Sequence, residues 1–165
     1  MTRPHPIPAG PGRESAWDYP RPPDLAPSSR HVLVEWNGRR LAETTRAMRV
    51  RETSHPPTWG IPPADVDFAV LRPNTTRTVC EWKGVASYWD LEDGTARVKA
   101  AAWTYANPVP DYQAIAGYVF FYPGRVDRCL VDGIEVLPQP GQFYGGWVTP
   151  DVVGPFKGEP GSGGW

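Results

Sequence analysis

The chain has 165 residues, which suits one domain with extensions, and its formal net charge is -1. It contains 21 prolines and 17 glycines, but 12% of its residues are aromatic, which favours a turn-rich folded core over disorder. No basic run exceeds Arg39-Arg40, which argues against nucleic-acid binding and against a polybasic membrane anchor.

The proline pattern divides the chain into three parts. Residues 1–29 form a Pro-rich arm, predicted to be extended because proline restricts its own φ and the residue before it. Residues 30–137 form the predicted core domain. Residues 138–165 are rich in Gly, Pro and aromatic residues, and we expect this tail to pack on the core as irregular coil.

The core domain is predicted to be mostly β. Residues 30–36 and 40–44 form a hairpin around Asn37-Gly38, the strongest short hairpin signal. Three further strands are predicted to form a meander: residues 76–82, 85–92 and 95–105. Lys83-Gly84 and Asp93-Gly94 supply its turns. One or two short helices complete the prediction, the clearer of them at residues 111–117, which end at a glycine.

The register of the meander decides which side chains lie together. With two-residue loops, Cys80 pairs with Ser87 and shares a face with Trp82, whereas the opposite face carries Tyr88 and Trp103. Alanines between the large aromatics then leave room for a ligand. Plain packing explains the same pattern, because aromatic residues dominate protein cores.

Cys80 is the candidate nucleophile of the sequence. Catalysis would need His55 as the base, in a rigid proline-rich loop, and Lys83 as an anchor for an anionic group. The alternative is that Cys80 is a small buried hydrophobe.

The sequence predicts no metal and no cofactor. Cys80 and Cys129 form no CxxC pair, and a tetrahedral zinc site needs four ligands, usually in short paired spacings. The sequence does not decide whether Cys80 and Cys129 form a disulfide. The N-terminus lacks the apolar run of a signal peptide, and no segment approaches membrane-spanning length. We therefore expect a cytoplasmic protein with reduced thiols and no membrane association.

Several short motifs carry a family resemblance. They are WDYPRPP (17–23), ETSHPPT (52–58), CEWKG (80–84), AAWTY (101–105), FYPGRV (121–126) and FYGGWVTP (143–150). On these motifs the chain resembles the bacterial domain-of-unknown-function family 427, sometimes labelled nucleotidyltransferase-like. No Gly-Ser pair followed by spaced aspartates supports that label here.

The resemblance implies a β-tent-like fold, in which two antiparallel sheets meet at a pinched top and leave a cleft between them. It also leads us to expect an aromatic residue at position 60. The glycine there predicts a more open cleft wall beside Trp59.

The first functional hypothesis is a small-molecule binding module. Trp59, Trp82, Tyr88 and Trp103, together with His55, would form an aromatic cage for a flat or cationic ligand. The second is an enzyme with thiol-based or transferase chemistry that uses Cys80 and His55. The third is a structural or partner-binding protein. The sequence does not decide between enzyme and binding protein, and it leaves a homodimer open.

Overall fold

The computed structural model describes residues 3–165, whose regular structure is mostly β-strand. The strands are β1 (Glu14–Ser15), β2 (Asp24–Ser28), β3 (Val32–Trp36), β4 (Arg39–Thr44), β5 (Ala47–Arg51), β6 (Thr58–Ile61), β7 (Leu71–Cys80), β8 (Gly84–Asp93), β9 (Ala96–Thr104), β10 (Val119–Phe121), β11 (Arg128–Val131), β12 (Ile134–Glu135), β13 (Leu137–Pro138), β14 (Trp147–Val148) and β15 (Val152–Val153).

The helical elements of the described chain are short 3-10 turns. They cover Ala16–Asp18, Pro63–Asp65, Phe68–Val70, Pro110–Ile115 and Pro123–Arg125. The longest of them, Pro110–Ile115, lies where a short helix was predicted at residues 111–117. The mostly β prediction with short helical elements is therefore confirmed.

Two antiparallel sheets form the body of the molecule. The larger has seven strands in the order β2-β5-β6-β10-β9-β8-β7, and the smaller has four in the order β12-β11-β3-β4. The β3–β4 hairpin turns at Asn37-Gly38, as predicted, and both residues have a positive φ. Asparagine and glycine tolerate this conformation, which matches the twist of the flanking strands.

The main core lies between the two sheets. Val32 and Val34 of β3 pack with residues of the larger sheet such as Trp59 and Ile61. Alternation along each strand places these side chains on the inner face. Trp147 from the tail enters the same core and is fully buried, so the tail is part of the folded unit.

The arm and the tail contact both the larger sheet and each other. Strand β2, from the arm, is an edge strand of the seven-stranded sheet and pairs with β5. Strand β1 pairs in parallel with β15 of the tail. The indole of Trp17 donates a hydrogen bond to the carbonyl oxygen of Pro155. The tail, expected to be irregular coil, contains two short strands, β14 and β15.

Candidate functional site

The turn between β7 and β8 differs from the prediction and changes the faces of the meander. Cys80 pairs with Gly84, and not with Ser87, because three residues separate the two strands. The predicted register is therefore wrong by an odd number of residues, which moves Cys80 to the other face. Cys80 lies on the face that carries Tyr88 and Trp103, which pair directly with each other.

This outer face carries a second hydrophobic cluster, which we call the outer cluster. Its buried members are Val50, Ala86, Trp103, Tyr105, Tyr112, Ile115 and Phe120, and its half-buried members are Leu25, Met48, Cys80, Trp82, Tyr88, Tyr118 and Tyr122. Strand β10 shows the division between the faces, because Phe120 joins the outer cluster whereas Val119 and Phe121 join the main core.

Trp103 is the centre of the aromatic contacts. Its ring stacks on Phe120, with centroids 5.3 Å apart, and tilts against Tyr122 at 4.6 Å. The tail covers it at Gly145, where a Cβ atom would lie 2.3 Å from Cη2 of the indole. Only a glycine permits so close an approach of the chain.

The three tryptophans and the tyrosine of the predicted ligand cage fall into two groups. Trp82, Tyr88 and Trp103 lie together in the outer cluster. Trp59 lies on the opposite face, 2% exposed, and stacks on Trp147 with centroids 5.9 Å apart. The expected open wall at position 60 is absent from the described structure, because the ring of Phe120 lies over Gly60, 2.6 Å from where a Cβ would be.

A pocket of about 340 Å³ borders the outer cluster at Tyr122, and none of the predicted ligand-binding residues is among the described residues that line it. It is lined by Tyr122, Pro123, Gly124, Arg125, Pro138, Gln139, Gly141, Gln142 and Tyr144. The guanidinium of Arg125 lies 3.9 Å from the ring centroid of Tyr122 and donates hydrogen bonds to the carbonyl oxygens of Ala100 and Gln142. This volume lies at the lower end of the range for small-molecule sites.

A comparison with protein-family models identifies the family of this chain. Residues 24–132 match the model of a domain of unknown function, DUF427. The chain belongs to this family. A comparison with curated proteins finds no match. The DUF427 match includes Tyr122 and Arg125, but Gln139 and Tyr144 lie in the tail beyond it, so both parts build the pocket.

His55 is placed behind the pocket by hydrogen bonds and ring contacts. Its ring packs edge-on against Tyr144 at 5.0 Å, and Nδ1 lies 3.0 Å from the amide nitrogen of Gln139. That amide is oriented by the backbone, because its oxygen accepts from Gly146 N–H and its nitrogen donates to the Lys157 carbonyl. Nδ1 of His55 must therefore be the acceptor, which places the ring proton on Nε2, 3.5 Å from Glu52.

The surroundings of His55 keep it neutral. Burial lowers its pKa, and the positive charges of Lys157, Arg21 and Lys83 lower it further, to about 4. The imidazole is then a weak base near neutral pH, and its lone pair is occupied by Gln139.

The catalytic pairing of Cys80 with His55 has no direct contact to support it. Within residues 3–165, no hydrogen bond joins the two side chains, and Cys80 is a free, half-buried thiol in the outer cluster. Lys83, the predicted anion anchor, has its ammonium 5.6 Å from the ring centroid of Tyr105. The nucleophile role of Cys80 stays a prediction.

Three cations lie close to tyrosine rings around this site. Arg125 lies over Tyr122 in the DUF427 region, Lys83 is near Tyr105, and Lys157 in the tail has its ammonium 5.9 Å from the Tyr144 centroid. In the part of the chain that the structure describes, none of the three forms an ion pair with an Asp or Glu side chain.

Sequence reasoning missed most of the pocket wall, namely Tyr122, Arg125, Gln139, Tyr144 and the adjacent Lys157. Two of the motifs shared with the family, FYPGRV and FYGGWVTP, contain three of these residues and were the available signal. Gln139 and Lys157 reach the site through chain folding, and no local pattern marks them. No group of His, Cys, Asp and Glu in residues 3–165 is arranged to hold a metal ion, and no helix there is long and apolar enough to cross a membrane.

Proposed function

We propose that the protein binds a small, flat molecule in the pocket between Tyr122 and Tyr144. The observation that carries this proposal is the pocket next to the outer cluster, lined by two tyrosines and by polar groups in defined orientations. Aromatic walls with a few positioned polar groups are typical of small-molecule sites. Tyr122 connects the pocket to the outer cluster through its contact with Trp103.

A flat ligand fits this site better than a cationic one. Cation binding by aromatic residues requires ring faces that are free to receive the charge. The rings of Tyr122, Tyr105 and Tyr144 already have Arg125, Lys83 and Lys157 near them. A cationic ligand would meet like charges here, whereas a neutral or anionic planar molecule would not.

The polar groups favour a ligand with hydrogen-bond acceptors. Gln139 uses its amide oxygen and nitrogen on Gly146, Lys157 and His55, so it holds the pocket wall in place. Arg125 donates to two backbone carbonyls, and a guanidinium has five N–H groups, so it retains donors for a ligand.

The proposal is tested by a thermal-shift screen with planar compounds, including nucleosides, cyclic imides and aromatic acids, with quaternary amines as the comparison. A compound at 100 times its dissociation constant adds about 2.7 kcal/mol to the free energy of unfolding. We expect planar hits that are weakened in Tyr144→Ala and kept in Phe68→Ala.

Phe68 is the control because it is an aromatic residue, 37% exposed, that contacts Trp89 and does not line the pocket. Stabilisation by quaternary amines alone, or equal losses in the two variants, would contradict the proposal.

A further inference from the structure

The charges around the pocket narrow the class of ligand, and this step rests on the proposed function. Of the residues in the described chain that line the pocket, Arg125 carries a positive charge and none carries a carboxylate. The two backbone carbonyls of Ala100 and Gln142 hold its guanidinium in place. A fixed guanidinium is well suited to bind an acid group through two parallel hydrogen bonds.

Lys157 lies beside two of the lining residues. Its carbonyl oxygen accepts a hydrogen bond of 2.8 Å from Gln139, and its backbone N–H donates one of 2.8 Å to Ser54. Its ammonium lies 5.9 Å from the Tyr144 ring and donates a hydrogen bond of 3.3 Å to the main-chain oxygen of Trp165. The backbone contacts therefore hold this lysine next to the pocket wall.

The lysines of this chain differ from its arginines in their pairing with acidic side chains. The sequence has three lysines, Lys83, Lys99 and Lys157, and none of them pairs with an Asp or Glu side chain within residues 3–165, where the ion pairs use arginine and histidine. Lys83 and Lys157 are half-buried, whereas Lys99 is exposed. No Asp or Glu side chain in this range pairs with Lys83 or Lys157, so an anion bound nearby would not compete with a side-chain carboxylate for their charges.

The pKa of His55 reflects the positive charges around the pocket wall. Burial, followed by the charges of Lys157, Arg21 and Lys83, lowers its pKa to about 4. Glu52, which contacts His55, is itself paired with Arg21 at 3.4 Å. The carboxylate nearest to the imidazole is thus already engaged.

We infer that the pocket takes a planar molecule with an acid group, a carboxylate or a phosphate, and that Arg125 and Lys157 hold this group. The ring of Tyr144 then contacts the planar part of the ligand, because Arg125 already covers the ring of Tyr122. On this inference the protein selects its ligand by the acid group as well as by the flat shape.

Isothermal titration calorimetry with two matched pairs of probes tests this inference. The pairs are indole-3-carboxylate with indole-3-carboxamide, and phenyl phosphate with phenol. Charge-assisted hydrogen bonds should make the acid of at least one pair bind about tenfold tighter than its neutral partner. The pair that shows the preference identifies the acid as a carboxylate or a phosphate.

Variants of lysine separate charge from packing. Lys157→Met should weaken the acid about tenfold and leave the neutral partner unchanged, whereas Lys157→Arg should keep the preference. Lys99→Met is the control at an exposed lysine. The thermal midpoint of each variant shows that it is folded.

The outcomes distinguish this inference from the proposed function. Equal affinity for acid and neutral partner, or equal effects of Lys157→Met and Lys99→Met, would overturn the acid anchor and leave the planar site standing. If no member of either pair binds and the planar screen is also blank, the proposed function fails and the acid anchor fails with it.

Discussion

The two tryptophan-rich regions of this protein differ in how their charges are compensated. In the main core, Trp59 and Trp147 stack with an interplanar angle of 24°, and the indole N–H of Trp147 donates to the Phe121 carbonyl. Arg49 lies over Trp59, but Glu14 neutralises it in an ion pair. The indole N–H of Trp147 and the charge of Arg49 thus have partners inside the protein, whereas Nε of Arg49 is buried without a hydrogen-bond partner among the described residues.

Among residues 3–165, the cations beside the outer cluster pair with no Asp or Glu side chain. Arg125 lies over Tyr122 with its hydrogen bonds directed to backbone carbonyls, and Lys157 near Tyr144 donates to the main-chain oxygen of Trp165. Tryptophan density by itself therefore does not identify a binding site. The distinguishing features are a neighbouring pocket and charges that the fold does not neutralise.

The largest expected effect separates the two regions by stability. Trp147→Ala should lower the free energy of unfolding by about 3–5 kcal/mol, because it opens a cavity in the sealed core. Trp82→Ala, at a half-buried position of the outer cluster, should cost only about 1 kcal/mol. Urea unfolding followed by circular dichroism measures the free energy of unfolding of both variants. Equal losses would contradict the expected difference between the two regions.

The pH dependence tests the buried imidazole behind the pocket. The pKa of His55 falls from 6.5 to about 4 on folding, so the unfolded chain binds more protons between these values. Stability is lost as pH falls through this window, on the order of 2–3 kcal/mol for this group. We expect His55→Gln to flatten the curve of unfolding free energy between pH 7 and 4, relative to the unsubstituted protein.

His5→Gln is the matched control, because His5 is exposed in the arm. A His55→Gln curve parallel to that of the unsubstituted protein would mean that the imidazole is not held neutral by its surroundings.

The close approach of the tail to Trp103 should be sensitive to a single methyl group. In Gly145→Ala the new Cβ would lie 2.3 Å from the indole, so the tail must shift, at a cost of about 1–3 kcal/mol. Gly10→Ala has no heavy atom within 4 Å of its Cβ and should be nearly neutral. Thermal unfolding compares the two, and similar midpoints would show that the tail does not press on the outer cluster.

The smallest expected effect concerns the two thiols, one in each region. Cys129 is fully buried, and burial raises its pKa, so it should not react with a disulfide reagent in the native protein. Cys80 is half-buried and should react, but more slowly than a free thiol, since no hydrogen bond in the described chain connects it to His55. Timed labelling of the native protein, with Cys80→Ser as control, measures both rates.

A Cys80 that reacts faster than a free thiol would favour the enzyme hypothesis over the binding module. It would also show that a base reaches the thiol in solution.

Local patterns were sufficient for several parts of this molecule. Asn37-Gly38 predicted its hairpin correctly, because only a few residue types accept its backbone conformation. The shared face of Tyr88 and Trp103 also followed from strand alternation. The face of Cys80 did not, since a loop of three residues instead of two reverses it, and CEWKG allows either loop length.

The sequence by itself determined the mostly β architecture, the family and the hairpin at Asn37-Gly38, because periodicity, turn residues and motifs are local properties of the chain. Only the tertiary structure decided that Trp59 belongs to the sealed core and that Gln139, Tyr144 and Lys157 of the tail meet Tyr122 and Arg125. These contacts depend on the path of the whole chain. Contacts between residues so far apart in the sequence produce no periodic pattern from which they could be predicted.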